Sequence, residues 1–309
     1  MKFSTQSSSY EYKYSTLSVN HLKELQNDID KLKNEGRLSE HETYRKYLST
    51  KEFKIPEKFP QARSLVILAI STKLAYVNFH FDGKIHDIMI PPNYYDDGLE
   101  YEDLENLILK DIIKESGYKV EFAQVHLKLL AVRSGLGKYG RNNICYVDNW
   151  GSSISLYAYY TDFDFKEDNW SKLSMMDTCK NCNICINNCP TKAIPTVSRE
   201  DFVIDAGKCI SLYNEIPGEI PKWIDPKAHN ALIGCMKCQF QCPANQRAIK
   251  DIKRLEDISE EETKMILEGR PEDSLLDSLS KKLKMFYPST AKKFFPVLNR
   301  NLKVLLENR

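Results

Sequence analysis

No stretch of this chain is long and apolar enough to cross a bilayer. The longest apolar run, Leu65–Ile70, falls far short of the ~20 residues a membrane helix needs, so no membrane partner is expected. The opening MKFSTQSSSY lacks the apolar core of a secretory signal. Neither sign of charge prevails, with 44 Lys and Arg against 43 Asp and Glu, so the chain as a whole has no pull toward a polyanion. No solenoid-type repeat recurs, and the six histidines show no pairing at metal-ligand spacing. The expectation is a cytoplasmic globular protein whose 309 residues suffice for about two domains.

What the chain does have is cysteine. Nine cysteines in a cytoplasmic chain read as metal ligands or redox groups rather than disulfides. Four stand in CKNCNICINNCP, a C-x2-C-x2-C-x3-C-P run made by Cys179, Cys182, Cys185 and Cys189. That is the spacing of a [4Fe–4S] ligand run, in which three close thiolates take three corners of one cube and the cysteine before proline ligates a second. A partner run exists in displaced form. Cys235, Cys238 and Cys242 stand in GCMKCQFQCP, and the missing member is Cys209, 26 residues before Cys235. The expected ligand sets are Cys179, Cys182, Cys185 and Cys242 for one cluster, and Cys189, Cys209, Cys235 and Cys238 for the other. The alternative is zinc, which also accepts four cysteines. The ninth, Cys145, lies in the apolar stretch ICYV and reads as a small buried side chain.

The elements read as follows. Residues 1–12 look like a loose polar arm. Ser18 caps a helix whose Leu22, Leu25, Ile29 and Leu32 share one face before Gly36, and a second short helix covers Glu40 to Tyr47. Leu65–Ile70 reads as a buried strand. Tyr76 to Ile90 reads as a hairpin turning at Asp82-Gly83. Leu104, Leu107, Ile108 and Ile112 mark a helix that Gly117 closes. YKVEFAQV (118–125) reads as a strand, with His126 next to it. ICYV, a DNWG turn and SISLYAYY (153–160) read as a second hairpin, whose Tyr157, Tyr159 and Tyr160 pack or line a wall. After residue 250 the chain looks helical. Residues 251–280 hold four basic and ten acidic side chains, and 281–309 hold eight basic and one acidic. That basic end interleaves with Phe286, Tyr287, Phe294, Phe295, Leu298, Leu302, Leu305 and Leu306. It reads as an amphipathic helix docked on the core, or as a guide for RNA or a phosphorylated substrate.

Between the strands lies a loop with three glycines, SGLGKYGRNN (134–143). Gly135, Gly137 and Gly140 let backbone approach a bulky ligand. The spacing mimics a dinucleotide fingerprint, but a hairpin rather than a helix follows it, which argues against NAD. The order V-E-F-A, S-G-L-G-x-x-G, the complete cysteine run, a lone cysteine in CISLYNEIPGEIP (209–221), then HNALIGCMKCQFQCP (229–243) and LNRNLKVLLEN (298–308) resembles the epoxyqueuosine reductase family. The likeness covers roughly residues 59–308.

That resemblance implies a cobalamin-dependent enzyme with two [4Fe–4S] clusters that reduces an epoxide on a tRNA wobble nucleoside. It implies an α+β fold, with a nitroreductase-like mixed sheet and flanking helices, then a bicluster ferredoxin-like module and a C-terminal helical segment. The expected boundaries are 1–58 for an N-terminal helical segment, 59–170 for a cobalamin-binding-like domain, 171–245 for the double-cluster domain and 246–309 for the C-terminal segment. Gly135, Gly137, Tyr139, Gly140, Arg141, Asn142 and Asn143 are the expected cofactor contacts. Glu121 is the expected proton donor, in a V-E-F-A-Q stretch where the family has V-D-S-A-P. The family's glycine loop carries Trp near Tyr139, and many members carry a C-terminal helical-repeat domain that this sequence does not reach. A low-potential donor such as ferredoxin or flavodoxin is the expected partner, with tRNA a further one. The alternative is a non-enzymatic electron carrier or a reductive activator of a corrinoid or radical protein.

Overall fold

The computed structural model describes residues 1–5, 8–95, 98–196, 202–285 and 288–308. In chain order the strands are β1 (Lys2–Ser4), β2 (Ser9–Ser18), β3 (Ser64–Ser71), β4 (Leu74–Phe81), β5 (Lys84–Ile90), β6 (Val120–Phe122), β7 (Lys138–Tyr139), β8 (Cys145–Tyr146), β9 (Ile154–Thr161) and β10 (Ile252–Arg254). The α-helices are α1 (Leu22–Asn34), α2 (Glu42–Ser49), α3 (Tyr101–Leu107), α4 (Leu127–Arg133), α5 (Ile184–Asn188), α6 (Ile210–Glu215), α7 (Lys237–Phe240), α8 (Glu260–Glu268), α9 (Asp273–Leu283) and α10 (Pro288–Glu307). The α+β class is as expected.

Two compact units share the chain. The first takes Met1–Ser71, Gly98–Cys182 and Ile194–Gly207. Its sheet runs β1-β2-β3-β9-β6, with every pairing antiparallel. β3 is central and apolar at successive positions because both of its faces are covered. Leu65, Ile67 and Ala69 pack with Ala158, Tyr160 and α4. Val66, Leu68 and Ile70 pack with Tyr10, Tyr12, Tyr159 and α3 on the other side.

The second unit takes Thr72–Asp97, Asn183–Ala193 and Lys208–Arg309. The β4–β5 hairpin turns at Asp82 and Gly83, whose φ angles are 52° and 65°, the pair of left-handed residues that a tight type I′ turn requires. β10 adds to β4 in parallel, so this small sheet is the mixed one. Val77, Phe79, Ile88 and Ile90 form a core with Ile266 of α8, Leu276 and Leu279 of α9, and Phe295, Leu298 and Leu302 of α10. The basic C-terminal stretch is thus a docked amphipathic helix, with Lys292, Lys293 and Lys303 outward. Phe286 and Tyr287 lie outside the described residues.

Several expectations need correction. The first 58 residues are not a helical segment, because β1 and β2 precede α1 and β2 pairs with β3 along its length. YEYKYSTL alternates tyrosine with polar residues, and Tyr10 and Tyr12 are buried; tyrosine disguised the period-2 pattern as polar. The boundaries at 170 and 245 also fail, since the β4–β5 hairpin leaves the first unit's sequence to join the C-terminal helices. The helix after Tyr101 widens into a π-turn over Ile108–Ile113 and stops at Lys114, φ 63°. The left-handed Lys114, whose N–H bonds the Leu109 carbonyl, ends it before Gly117. YKVEFAQV forms only the three residues of β6. β8 pairs with β7, not β9, and β9 goes to the main sheet between β3 and β6. Among the described residues no helix is long and apolar enough to cross a membrane.

Ile67→Ala, in the middle of β3, is expected to cost ~2–5 kcal/mol in urea unfolding. Ile85→Ala, at a residue 63% exposed, is expected to stay within about 0.5 kcal/mol of the unmodified protein.

Candidate functional site

The second unit gathers three of the four cysteines expected to share a cluster. Cys209 feels the sulfur of Cys189, and Cys235 feels those of both Cys189 and Cys209. Cys189 ends α5, Cys209 opens α6, and Cys235 precedes α7, which carries Cys238. α5 packs against α7. These are short turns rather than long helices, since cysteines two or three residues apart must all face one body.

Hydrogen-bond donors converge on the sulfurs. The Ala193 N–H points at Cys189 Sγ at 3.2 Å. The Asn230 carboxamide donates to Cys235 Sγ at 3.1 Å, and the Lys237 N–H joins it. Ser211 donates to Cys209 through its main chain and its hydroxyl. Burial pushes the Cys209 thiol up and Cys235 to about 11, so the free thiols hold protons that iron must displace. Buried thiolates ringed by N–H donors are the chemistry of an iron–sulfur site. The residues present therefore fit a cluster. Among the described residues no three His, Cys, Asp or Glu side chains are gathered closely enough for a single metal ion. A cubane, whose thiolates bind separate irons, does not ask for that.

A second layer holds these ligands, and it was not foreseen as such. Asn301 on α10 is fully buried and donates to the carbonyls of Asn214, at 3.0 Å, and Leu232, at 2.9 Å. Asn214 in turn donates to the Gly234 carbonyl at 2.8 Å. Arg300 caps α6 by bonding the carbonyls of Tyr213, at 2.6 Å, and Ile216, at 3.0 Å. The Tyr94 hydroxyl donates to the half-buried Glu215 carboxylate. Burial raises both groups, and Tyr94 is close enough to feel Cys209 and Cys235. Gly234 has φ +64°, and a Cβ there would stand 2.9 Å from the Tyr94 ring. The only sequence signals were the N-x3-G-C and L-N-R-N patterns, which carry no chemistry of their own.

In the first unit Cys179 and Cys182 form one turn, with the Cys182 N–H on the Cys179 carbonyl at 3.2 Å. Arg141 is buried and donates to that same carbonyl at 2.7 Å. The remaining two cysteines, Cys185 and Cys242, belong to the second unit.

The glycine loop is a small hairpin closed by β7 and β8. The Gly140 N–H bonds the Ile144 carbonyl at 2.8 Å, and Asn143 takes φ 60°. A Cβ on Gly137 would meet Cys145 Sγ at 2.7 Å, and one on Gly140 would meet the Tyr146 ring at 2.5 Å. The room these glycines leave is filled by the chain's own atoms. Asn142 donates to the Tyr146 hydroxyl at 3.0 Å, and Asn143 donates to the Phe202 carbonyl at 3.0 Å and accepts from Lys128 at 2.8 Å. Tyr139 is buried and stacks on Phe202 at 4.3 Å. Gly135, φ +72°, faces Ser171. The side chains of Arg141, Asn142 and Asn143 thus each make a hydrogen bond inside the fold.

Glu121 lies on the edge strand β6, half-buried and opposite Tyr160, with its carboxylate on the exposed Lys58 ammonium at 2.5 Å. His126 does not extend that strand; it caps α4, accepting the Leu129 N–H at 3.4 Å. Cys145 is 3% exposed, and burial drives its thiol to about 12, as fits an inert core residue.

Two outcomes test this geometry. Asn301→Leu is expected to lower the iron that the reconstituted protein retains, read by iron analysis and EPR. Burial, then the Lys128 ammonium, hold His126 down at about 3. The unfolded chain takes up that proton near 6.5, so stability is lost as pH falls from about 6.5 toward 3. His126→Gln is expected to flatten that acid limb in urea unfolding.

Comparison with known proteins bears on the whole chain. Residues 178–245 match the family model of a 4Fe–4S double cluster binding domain. An epoxyqueuosine reductase of Cellulophaga algicola is 32% identical over 145 residues, covering 46% of this chain and 45% of that protein. One of Cyclobacterium marinum is 28% identical over 229 residues, covering 62% and 72%. The aligned part thus spans under half the length of the first of these relatives. The solved epoxyqueuosine reductase of Streptococcus thermophilus superimposes with a TM-score of 0.63 at 18% identity, over 96% of this chain and 77% of that one, which establishes a shared fold. The resemblance read from the motifs holds: this chain is similar to epoxyqueuosine reductases in sequence and fold, and residues 178–245 match a 4Fe–4S double cluster binding domain.

Proposed function

We propose that the chain is an iron–sulfur reductase of the epoxyqueuosine reductase kind. The observation that carries this is the set of N–H donors trained on the neighbouring sulfurs of Cys189, Cys209 and Cys235. In this reading Cys189, Cys209, Cys235 and Cys238 hold one [4Fe–4S] cluster. Cys179, Cys182, Cys185 and Cys242 hold the other, on the strength of their spacing. When bound, the clusters would supply one-electron transfer from a low-potential ferredoxin or flavodoxin, at potentials that burial and the hydrogen bonds to sulfur would set.

The proposed acceptor is a corrinoid, which when bound supplies a reducing cobalt centre. Its support is the motif order shared with the family. Around it the loop 134–143 contributes main chain and a rigid frame, since its polar side chains are occupied. Glu121 is the proposed proton donor, and the proton it passes on comes from the Lys58 ammonium from which its carboxylate accepts. The substrate class in this reading is a modified nucleoside; a solved epoxyqueuosine reductase is bound to a tRNA stem loop. The occupied side chains of Arg141, Asn142 and Asn143 favour a second reading, an electron carrier without its own corrin.

One preparation separates the two. Anaerobic reconstitution is expected to give about eight iron and eight sulfide per chain; two zinc ions would refute the clusters. Hydroxocobalamin mixed in is expected to stay with the protein through gel filtration, and its loss selects the carrier. With an authentic substrate, Glu121→Gln is expected to lower turnover ~100-fold or more without altering cluster content or corrin retention.

A further inference from the structure

The second unit's cluster-bearing segments are one-sided in charge. Residues 183–193 and 226–250 contain five basic side chains and no Asp or Glu, in a chain whose net charge is only +1. Lys192, Lys237, Arg247 and Lys250 are all exposed, and among the described residues none has an ion-pair partner. The stretch from Lys237 to Lys250 is compact. Both the Cys242 N–H and the Asn245 carboxamide bond the Gln239 carbonyl, at 3.1 and 3.0 Å, and Lys250 closes a turn on Arg247 at 3.1 Å. α5, whose following turn carries Lys192, packs against α7. On α7 two further features meet: Phe240 is 38% exposed, and its neighbour Cys238 is half-exposed. An exposed aromatic in a segment of exposed cations without ion-pair partners, next to a half-exposed cysteine, is an anatomy that suits brief docking and electron entry.

We infer that this face is the docking surface of an acidic low-potential electron-carrier protein, with Phe240 at its centre and Lys192, Lys237, Arg247 and Lys250 around it. The inference rests on the reading that Cys238 ligates a cluster. A carrier rich in carboxylates is steered to this patch from a distance. The step is one electron: the reduced carrier loses it, the cluster core goes from 2+ to 1+, and no bond breaks and no proton moves. A nucleic acid would meet the same cations, but the patch lies against a cluster ligand, where electrons have to enter.

The test follows reduction of the reconstituted holoprotein by freeze-quench EPR, with a reduced acidic [2Fe–2S] ferredoxin as donor. Photoreduced 5-deazaflavin, a small neutral reductant, is the control. The Lys192→Glu/Arg247→Glu/Lys250→Glu variant is expected to slow ferredoxin-driven reduction at least ~10-fold at low ionic strength. The gap is expected to close as salt screens the patch over ~10 Å or less, while deazaflavin-driven reduction is unchanged. Arg247→Glu/Lys250→Glu alone is expected to show the same trend, more weakly. Equal ferredoxin rates in both variants and the unmodified protein, flat with salt, overturn the assignment. So does a variant that loses binding of a tRNA stem loop yet keeps its ferredoxin rate, since the patch then belongs to nucleic acid. Absence of any reduced-cluster signal with deazaflavin overturns the cluster reading, and the docking surface with it.

Discussion

One buried carboxamide ties the second unit's redox chemistry to its core. Asn301 has no exposed surface, and its side-chain nitrogen serves two carbonyls that belong to different parts of the chain. One lies in α6, just after Cys209, and the other just before Cys235. A backbone carbonyl buried without a donor costs about 1–3 kcal/mol, so the two segments keep their register only while Asn301 lies between them. α10 can offer that side chain because Phe295, Leu298, Leu302 and Leu305 fasten the helix to the β4–β5 hairpin. Apolar burial thus fixes a helix, the helix fixes an amide, and the amide fixes the spacing of two sulfurs.

The same logic explains why so many polar groups surround those sulfurs. A cubane with four thiolates brings negative charge into a region that burial has made inhospitable to it. Main-chain N–H groups at Ala193, Ser211 and Lys237, with the Asn230 amide, return part of the lost solvation. Tyr94 and Glu215 fill the adjoining space, and Gly234 is bare because the Tyr94 ring already occupies the place of its side chain.

Some of this was legible from residue order. The cysteine spacing pointed to two clusters, and Leu65–Ile70 announced a strand covered on both faces. Asp82-Gly83 announced its turn. What stayed hidden shares a physical cause: contacts that depend on distant chain carry no local pattern. Asn301 and Asn230 look like any surface amide until their partners are known. Tyr10 and Tyr12 looked polar because a phenol can be either buried or wet. The glycines at 137 and 140 mark a close approach, and Cys145 and Tyr146 make it from within the fold. Spacing shows that room is needed and says nothing about what fills it.

The pairing of β10 with β4 has a bearing on how the protein is made. Leu74 lies in register with Ile252, and Val77, Phe79, Ile88 and Ile90 meet their helical cover only after α8 to α10 exist. At translation speeds of about 5–20 residues per second, the roughly 180 residues in between take on the order of ten seconds to half a minute to emerge from the ribosome. Throughout that interval the hairpin's greasy side and the outer edge of β4 stand bare, so nascent chains depend on chaperones, or on sparse polysomes, to keep neighbouring hairpins from zipping together.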